Sequence, residues 1–371
     1  MALARLEVNA VRNLRSVTIP DIARTNIFYG DNGSGKTSVL ESIYLLGMSR
    51  SFRSSQIKSV ISHEAERCTV FGEVRPEGQG APQAVGVSRG RDGSLEARIS
   101  GQTARSSSEL AELLPLQLIH ADSFNLLGGG PAHRRQFLDW GVFHVEHRFY
   151  RDWQRFQRCI KQRNSLLRHG KISASELRSW DQEFSEAGEQ INSLRSAYFS
   201  ALKPVFGEFV RALSADLAGL ELRYRRGWDK NASLLEALAA TEATDRQQGF
   251  THVGPQRADL RVVVDGHNAA ETLSRGQQKL VVCALKLAQG QLLSEQAGRK
   301  CVYLVDDLPA ELDQQHCRRV AELLDGLSTQ VFITCVDKKE IAGAWPAATT
   351  GDSAMFHVEH GQISRDGINT R

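Results

Sequence analysis

Gly30-Asp31-Asn32-Gly33-Ser34-Gly35-Lys36-Thr37 is the stretch that decides the fold. It fills every fixed position of the phosphate-cradling pattern Gly-x-x-x-x-Gly-Lys-[Ser/Thr]. The apolar run Asn26-Ile27-Phe28-Tyr29 before it reads as a strand. Residues 37–48 after it read as a helix, with Val39, Ile43 and Leu46 at core spacing. The glycines let the backbone curl so that successive N–H groups face a β-phosphate at the positive end of that helix. Lys36 supplies a point charge between the β- and γ-phosphates, and the Thr37 hydroxyl is placed to ligate Mg2+. A nucleoside triphosphate with Mg2+ is the expected ligand. No Asn-Lys-x-Asp guanine-reading motif is present, which argues against a GTPase.

A second apolar strand, Val302-Tyr303-Leu304-Val305, ends in Asp306-Asp307. A buried strand fixes Asp306 opposite Thr37 as the second candidate metal ligand. Leu273-Ser274-Arg275-Gly276-Gln277-Gln278-Lys279 opens the helix before that strand. Ser274 is a natural N-cap, and its hydroxyl with the Gly276 N–H can meet a γ-phosphate at a helix N-terminus.

These three pieces resemble the ABC-type ATPases, whose signature is Leu-Ser-Gly-Gly-Gln. In that class the signature loop contacts nucleotide held by the other subunit, so the resemblance implies a homodimer that closes on ATP, with Ser274, Gly276 and Gln277 as nucleotide contacts. Asp307 stands where the class usually has Glu, the residue that orients or deprotonates the attacking water, so the resemblance gives Asp307 that role. Its shorter side chain predicts slow hydrolysis, with Asp307 and Lys36 as the catalytic pair. Leu312-Asp313 matches the loop that crosses the dimer interface.

The fold class expected is therefore α/β: a P-loop ATPase head, plus a helical lobe. Residues 1–120 form the N-terminal part of the ATPase lobe, residues 121–299 a helical lobe with the signature, and residues 300–371 the rest of the ATPase lobe. Between 69 and 105 alternating residues broken at Pro76-Glu-Gly-Gln-Gly and Arg89-Gly-Arg-Asp-Gly predict an antiparallel meander. Phe149, Trp153, Phe156, Ile160 and Leu167 follow 4-3-4-7 spacing; Leu177, Trp180, Phe184, Ala187, Ile191, Leu194 and Tyr198 follow 3-4-3-4-3-4. Two seams joined by a turn at His169-Gly170-Lys171 predict an antiparallel hairpin over 146–217, either of short coiled-coil character or as two ordinary amphipathic core helices.

Composition is that of a soluble globular chain: 371 residues, 41% hydrophobic, 24% charged, net charge +3. The apolar run 280–287 is broken by Lys286 and too short to cross a bilayer. The N-terminus lacks the layout of a signal peptide, and six scattered cysteines without a Cys-x-x-Cys pair read as buried thiols in a reducing cytoplasm. Net charge does not announce a nucleic-acid partner, so any DNA contact must be local. Arg148, Arg151, Arg155, Arg158, Lys161, Arg163 and Arg168 on the first hairpin helix face an acid-rich second helix. They are read equally as phosphate contacts and as salt-bridged solvated faces. Arg50, Arg53 and Lys58 form a second candidate patch, and Arg134 and Arg135 follow a Gly-rich turn. The pentapeptide Phe-His-Val-Glu-His occurs at 143–147 and 356–360. Its His144, His147, His357 and His360 have metal-like spacing, but both copies stand in apolar-alternating context and read as surface or strand histidines.

The chain resembles the RecF family over nearly its whole length. The matching segments are Val11-Arg12-Asn13-Leu14, Ser51-Phe52-Arg53, Gly129-Gly130-Pro131 through Asp139, Thr251-His-Val-Gly254-Pro255-Gln-Arg257-Ala-Asp259, Leu-Ser-Arg-Gly-Gln-Gln-Lys, and Asp306-Asp307 through Glu311-Leu312-Asp313. Ala310 departs from the Ser usual before Glu-Leu-Asp. The resemblance implies ATP-dependent binding of duplex DNA near single-strand gaps. It also implies partnership with RecR and RecO in loading RecA, slow DNA-stimulated hydrolysis as a release switch, and Arg12-Asn13 near the adenine. The alternative, a transporter ATPase subunit, accounts poorly for the long insertion between Lys36 and Asp306.

Overall fold

The computed structural model describes residues 2–76, 80–169, 174–217, 219–345 and 352–366. The strands are β1 (Ala2–Val11), β2 (Leu14–Ile19), β3 (Thr25–Tyr29), β4 (Arg67–Arg75), β5 (Gln83–Gly90), β6 (Leu95–Ile99), β7 (Gln102–Thr103), β8 (Leu116–Ile119), β9 (Leu220–Arg225), β10 (Asp259–Val264), β11 (His267–Asn268), β12 (Val302–Val305), β13 (Gln330–Cys335), β14 (Ser353–Glu359) and β15 (Gln362–Arg365). The helices are α1 (Lys36–Met48), α2 (Ser107–Leu113), α3 (Asn125–Gly128), α4 (Pro131–Val145), α5 (Phe149–His169), α6 (Ala174–Leu213), α7 (Leu234–Gln248), α8 (Ala269–Thr272), α9 (Arg275–Ala297), α10 (Leu308–Glu311), α11 (Gln314–Gly326) and α12 (Lys338–Ala344).

Two compact units result: residues 1–123 with 279–371, and residues 124–278. The second boundary therefore runs through α9 rather than at residue 299, because the apolar length of that helix from Leu280 onward is buried with the first unit.

In the first unit β15-β14-β3-β13-β12-β8 form one sheet, parallel except for β15. Its inner strands β12 and β13 are buried along their whole length and mostly apolar, with Gln330 and Thr334 as the polar exceptions on β13. Phe28 stacks between Phe332 and Phe356, at ring centroid distances of 6.5 and 4.9 Å. The second sheet, β2-β1-β4-β5-β6-β7, is wholly antiparallel and contains the meander. Its 89–93 turn is formed as expected, while the 76–80 turn falls partly outside the described residues. All six cysteines are free and buried. Among the described residues no helix is long and apolar enough to cross a membrane.

In the second unit α5 packs back on α6 through the two seams; the joining turn lies outside the described residues. Phe149, Phe156 and Leu167 on α5 and Leu177, Phe184, Ala187, Ile191, Leu194 and Tyr198 on α6 are all buried, with the Phe156 and Phe184 rings 5.1 Å apart. The seven-residue step between Ile160 and Leu167 is filled by Arg163, which is fully buried. Its guanidinium donates to Asp181 at 2.6 Å, Asp245 at 2.7 Å and Thr251 Oγ1 at 2.9 Å. A three-stranded sheet, β11-β10-β9, completes the unit.

The repeated pentapeptide takes two conformations. Residues 143–145 end helix α4, whereas residues 356–359 lie in strand β14. The expectation of alternating context fails for the first copy, because helical spacing there buries Val142 and His144 together with Leu138. Strands β9 and β15 went unread in the sequence, although Leu220-Glu221-Leu222-Arg223-Tyr224-Arg225 alternates as a strand does, while β14 carries the alternation read around the second copy.

Candidate nucleotide site

The sheet order sets the site, since β3 and β12 end on the same side with β13 between them. β3 runs into the glycine loop, where Gly30, Gly33 and Gly35 have φ of +146°, +81° and +122°. Gly30 has no room for a side chain either, because a Cβ would stand 2.2 Å from the Val358 carbonyl oxygen. Lys36 is buried and donates to the carbonyls of Gly30 and Asp31 at 2.6 and 2.9 Å, bridging the mouth of the loop. The loop also opens on a cleft of about 520 Å3 that includes Asp31, Asn32, Gly33 and Ser34 on its wall.

The Thr37 hydroxyl lies 2.9 Å from Asp306 Oδ1, across 269 residues of sequence. Thr334, at the end of β13, donates to the same Asp306 oxygen at 2.7 Å and accepts the Asp307 N–H at 2.9 Å. Asp307 takes a left-handed backbone, φ +51°, which turns the chain from β12 into α10. Burial, reinforced by the neighbouring Asp306 charge, holds the Asp307 carboxyl above the usual range. A hydroxyl and a carboxylate at hydrogen-bond distance beside the glycine loop suit Mg2+, a hard cation that takes oxygen ligands.

Three supports of the loop went unread in the sequence. The Asn13 amide donates to the carbonyls of Gly33 and Ser34, at 3.2 and 2.9 Å, and accepts the Ser38 hydroxyl at 3.0 Å. Gly361, in the β14–β15 turn, donates its N–H to the Ser34 carbonyl at 2.8 Å. Glu41, wholly buried on α1, receives Arg12 through two nitrogens, the Ser51 hydroxyl, and Arg53 at 3.5 Å. The only sequence signal for Glu41 was a carboxylate on the inner face of an apolar helix.

Ser274, Gly276 and Gln277 belong to the second unit. Ser274 and Gly276 are exposed at the start of α9. Ser274 Oγ accepts the Gln277 N–H at 3.3 Å while Gln277 Oε1 accepts the Ser274 N–H at 3.0 Å, a reciprocal capping box. In the first unit Asp313 caps α11 by accepting the His316 N–H at 2.9 Å.

The candidate DNA-contacting arginines separate into two groups. Arg155 is paired with Glu183 and Glu186, and Arg163 is buried as described. Arg134 is held by Asp259 at 2.7 Å and by two carbonyls, and Arg135 donates to the Ala258 carbonyl at 2.9 Å. None of these four is a free surface cation. Arg148, Arg158, Lys161 and Arg168 are exposed and have no ion-pair partner among the described residues. Arg50 and Lys58 are likewise exposed. No cluster of metal-ligating side chains exists among the described residues, and His357 lies against the Tyr29 ring at 5.1 Å.

Residues 2–361 match the RecF/RecN/SMC N terminal domain family. The chain is 55% identical to the DNA replication and repair protein RecF of Pseudomonas aeruginosa (strain LESB58) and 56% identical to that of Stutzerimonas stutzeri (strain A1501), over 98% of each chain. Among solved structures it is similar to the recombination mediator protein RecF of the RecFOR pathway. The RecF-ATPrS form is 24% identical with a TM-score of 0.84, covering 99% of this chain and 98% of that one. The RecF-ATP form is 24% identical with a TM-score of 0.85, covering 98% and 97%. An Smc head bound to the C-winged helix domain of ScpA is more distant, 16% identical with a TM-score of 0.59 over 100% and 98% of the two chains. At these identities the structures establish a shared ATPase-head fold.

Proposed function

We propose a function from one premise: the chain belongs to the RecF family. On this reading it is an ATP-dependent DNA-binding protein of replication and recombinational gap repair. It dimerises on ATP, binds duplex near single-strand gaps, and works with RecR and RecO in loading RecA. Hydrolysis resets the switch.

The observation that carries the reading is the meeting of Thr37 and Asp306 beside the loop closed by Lys36. Gly30, Asp31, Asn32, Gly33, Ser34 and Gly35 would wrap the phosphates with backbone N–H groups, at the N-terminus of α1. Lys36 would leave its two carbonyls for phosphate oxygens, a stronger charge-assisted contact. Thr37 and Asp306 would hold Mg2+, which supplies charge neutralisation on the phosphates. Asp307, its carboxyl raised toward neutrality by burial, is suited to accept a proton from the attacking water and return it. The exposed Ser274–Gly276 turn at the start of α9 is the surface a second copy would use to reach the triphosphate.

Sizing the protein with ATP, ADP or neither, with and without gapped duplex, tests the reading. ATP should give dimers, and Lys36→Arg should lose dimerisation and duplex binding together. Monomers throughout in the parent protein, or ATP-dependent duplex binding retained by the variant, would overturn it.

A further inference from the structure

In the second unit the loops 226–230 and 250–257 meet backbone to backbone. The Gly254 N–H donates to the Gly227 carbonyl at 3.2 Å, and the two glycines have φ of +121° and +99°. A Cβ on Gly227 would stand 2.2 Å from the Gly254 carbonyl oxygen, so only glycine permits this approach. Buried arginines pin the second loop from below. Arg163 donates to Thr251 Oγ1 at 2.9 Å, and Arg195 donates to the Pro255 carbonyl at 2.8 Å.

The junction forms a cleft of about 750 Å3 lined by Arg225, Arg226, Trp228, Lys230, His252 and Arg257, with Asp229 its one acidic wall residue. Arg225, Lys230 and Arg257 have no carboxylate partner among the described residues. Arg226 donates to the Ala232 carbonyl at 2.7 Å and lies 4.6 Å over the Trp228 ring, and Arg257 lies 5.3 Å over Phe250. Cations gathered this closely repel one another, and here glycine-only backbone contacts keep them together. An anion entering the cleft relieves that repulsion. The guanidinium–ring stacks add a flat surface on which bases of any sequence can lie.

We propose that this cleft binds an unpaired nucleic-acid strand, with phosphates at Arg225, Lys230 and Arg257 and a base on the Arg226–Trp228 stack. The proposal rests on the DNA-binding reading above and names a subsite for it. A duplex keeps its bases inside and offers only phosphates, leaving the stack and the depth of the cleft unused. An acidic peptide would engage the cations but not the rings.

The test compares the full chain with Arg225→Ala/Arg257→Ala and with Trp228→Leu, by anisotropy of labelled oligothymidylate and of a blunt duplex, in ATP and across salt. The double variant should bind oligothymidylate about tenfold more weakly or worse, with a salt slope smaller by about 1.4. Its duplex affinity and ATP-dependent dimerisation should be unchanged. Trp228→Leu should weaken oligothymidylate but not an abasic strand. Parent-like binding by the double variant, an equal loss on duplex, or a parent cleft that takes polyglutamate and ignores oligothymidylate would each overturn the proposal. A parent chain that binds oligothymidylate but never duplex in ATP would instead sink the preceding functional reading and leave the cleft standing.

Discussion

The Arg12 guanidinium closes a two-pronged ion pair on the wholly buried carboxylate of Glu41, at 2.9 and 2.8 Å. The pair joins the β1–β2 turn to the helix that follows the glycine loop. Because Asn13 is the next residue and grips the loop carbonyls, the ion pair also sets where that grip falls.

Arg12→Ala should destabilise the protein by about 3 kcal/mol, since it leaves the buried Glu41 charge with only the Ser51 hydroxyl and the longer contact to Arg53. Glu41→Gln, which keeps an acceptor for Arg12 and Ser51, should cost less. Denaturant unfolding of the two variants gives the order, and equal midpoints for Arg12→Ala and the parent would refute the role of the pair.

Thr334 orients Asp306 without being placed to touch nucleotide. Thr334→Ala should raise the Mg2+ concentration needed for half-maximal ATPase by roughly 10–100-fold, as loss of a ligand's hydrogen-bond partner does. Thr334→Ser should restore it. A Thr334→Ala enzyme with an unchanged Mg2+ titration would show that Asp306 needs no such support.

Asp307→Asn should cut hydrolysis roughly 100-fold or more while ATP-induced dimers persist, because a general base is lost and the phosphate contacts are not. In the parent, the raised Asp307 carboxyl takes up its proton at higher pH than an ordinary aspartate. The acid limb of the pH–rate profile should lie correspondingly high. For stability the sign runs the other way. A folded-state pKa above the unfolded one favours folding at low pH, and that contribution is lost as pH rises through the folded value. Asp307→Asn should therefore raise the thermal midpoint at neutral pH, with the gain vanishing in acid. A midpoint lowered at pH 7 would contradict this.

Two glycines with similar backbones separate strain from collision. Gly93 has φ +90° and open space where a Cβ would go, so Gly93→Ala should cost about 1–2 kcal/mol. Gly361 has φ +78°, and its Cβ would stand 2.2 Å from the Asn13 carbonyl oxygen. Gly361→Ala should cost more and also weaken ATP binding, because the turn that holds Ser34 must move. Isothermal titration with ATP distinguishes the two, and parallel losses in both variants would remove Gly361 from the site.

Much of the ATPase head was legible along the chain. The strand–loop–helix around Lys36, the meander, the hairpin seams and the strand ending at Asp306 all lie where residue spacing placed them. Arg163 was legible too, in hindsight. The 4-3-4-7 seam skips one position, and the side chain standing there is buried in a triad rather than offered to phosphate. Nothing in the sequence tells Arg155, tied to two glutamates, from Arg158, which has no ion-pair partner among the described residues.

By itself the sequence determined the local matters: which segments curl, which alternate, and where a glycine loop must lie to cradle phosphate. Those follow from backbone sterics and residue period over a few positions. Tertiary structure alone decided that Phe-His-Val-Glu-His ends a helix in one place and builds a strand in another, that Asn13, Glu41 and Gly361 support the glycine loop, and that Thr334 holds Asp306. Their hydrogen-bond partners lie on other segments, 21 residues away for Asn13 and Ser34, 29 for Arg12 and Glu41, 28 for Asp306 and Thr334, and most of the chain away for Gly361 and Ser34. A charge or an amide takes its role from what the fold sets against it.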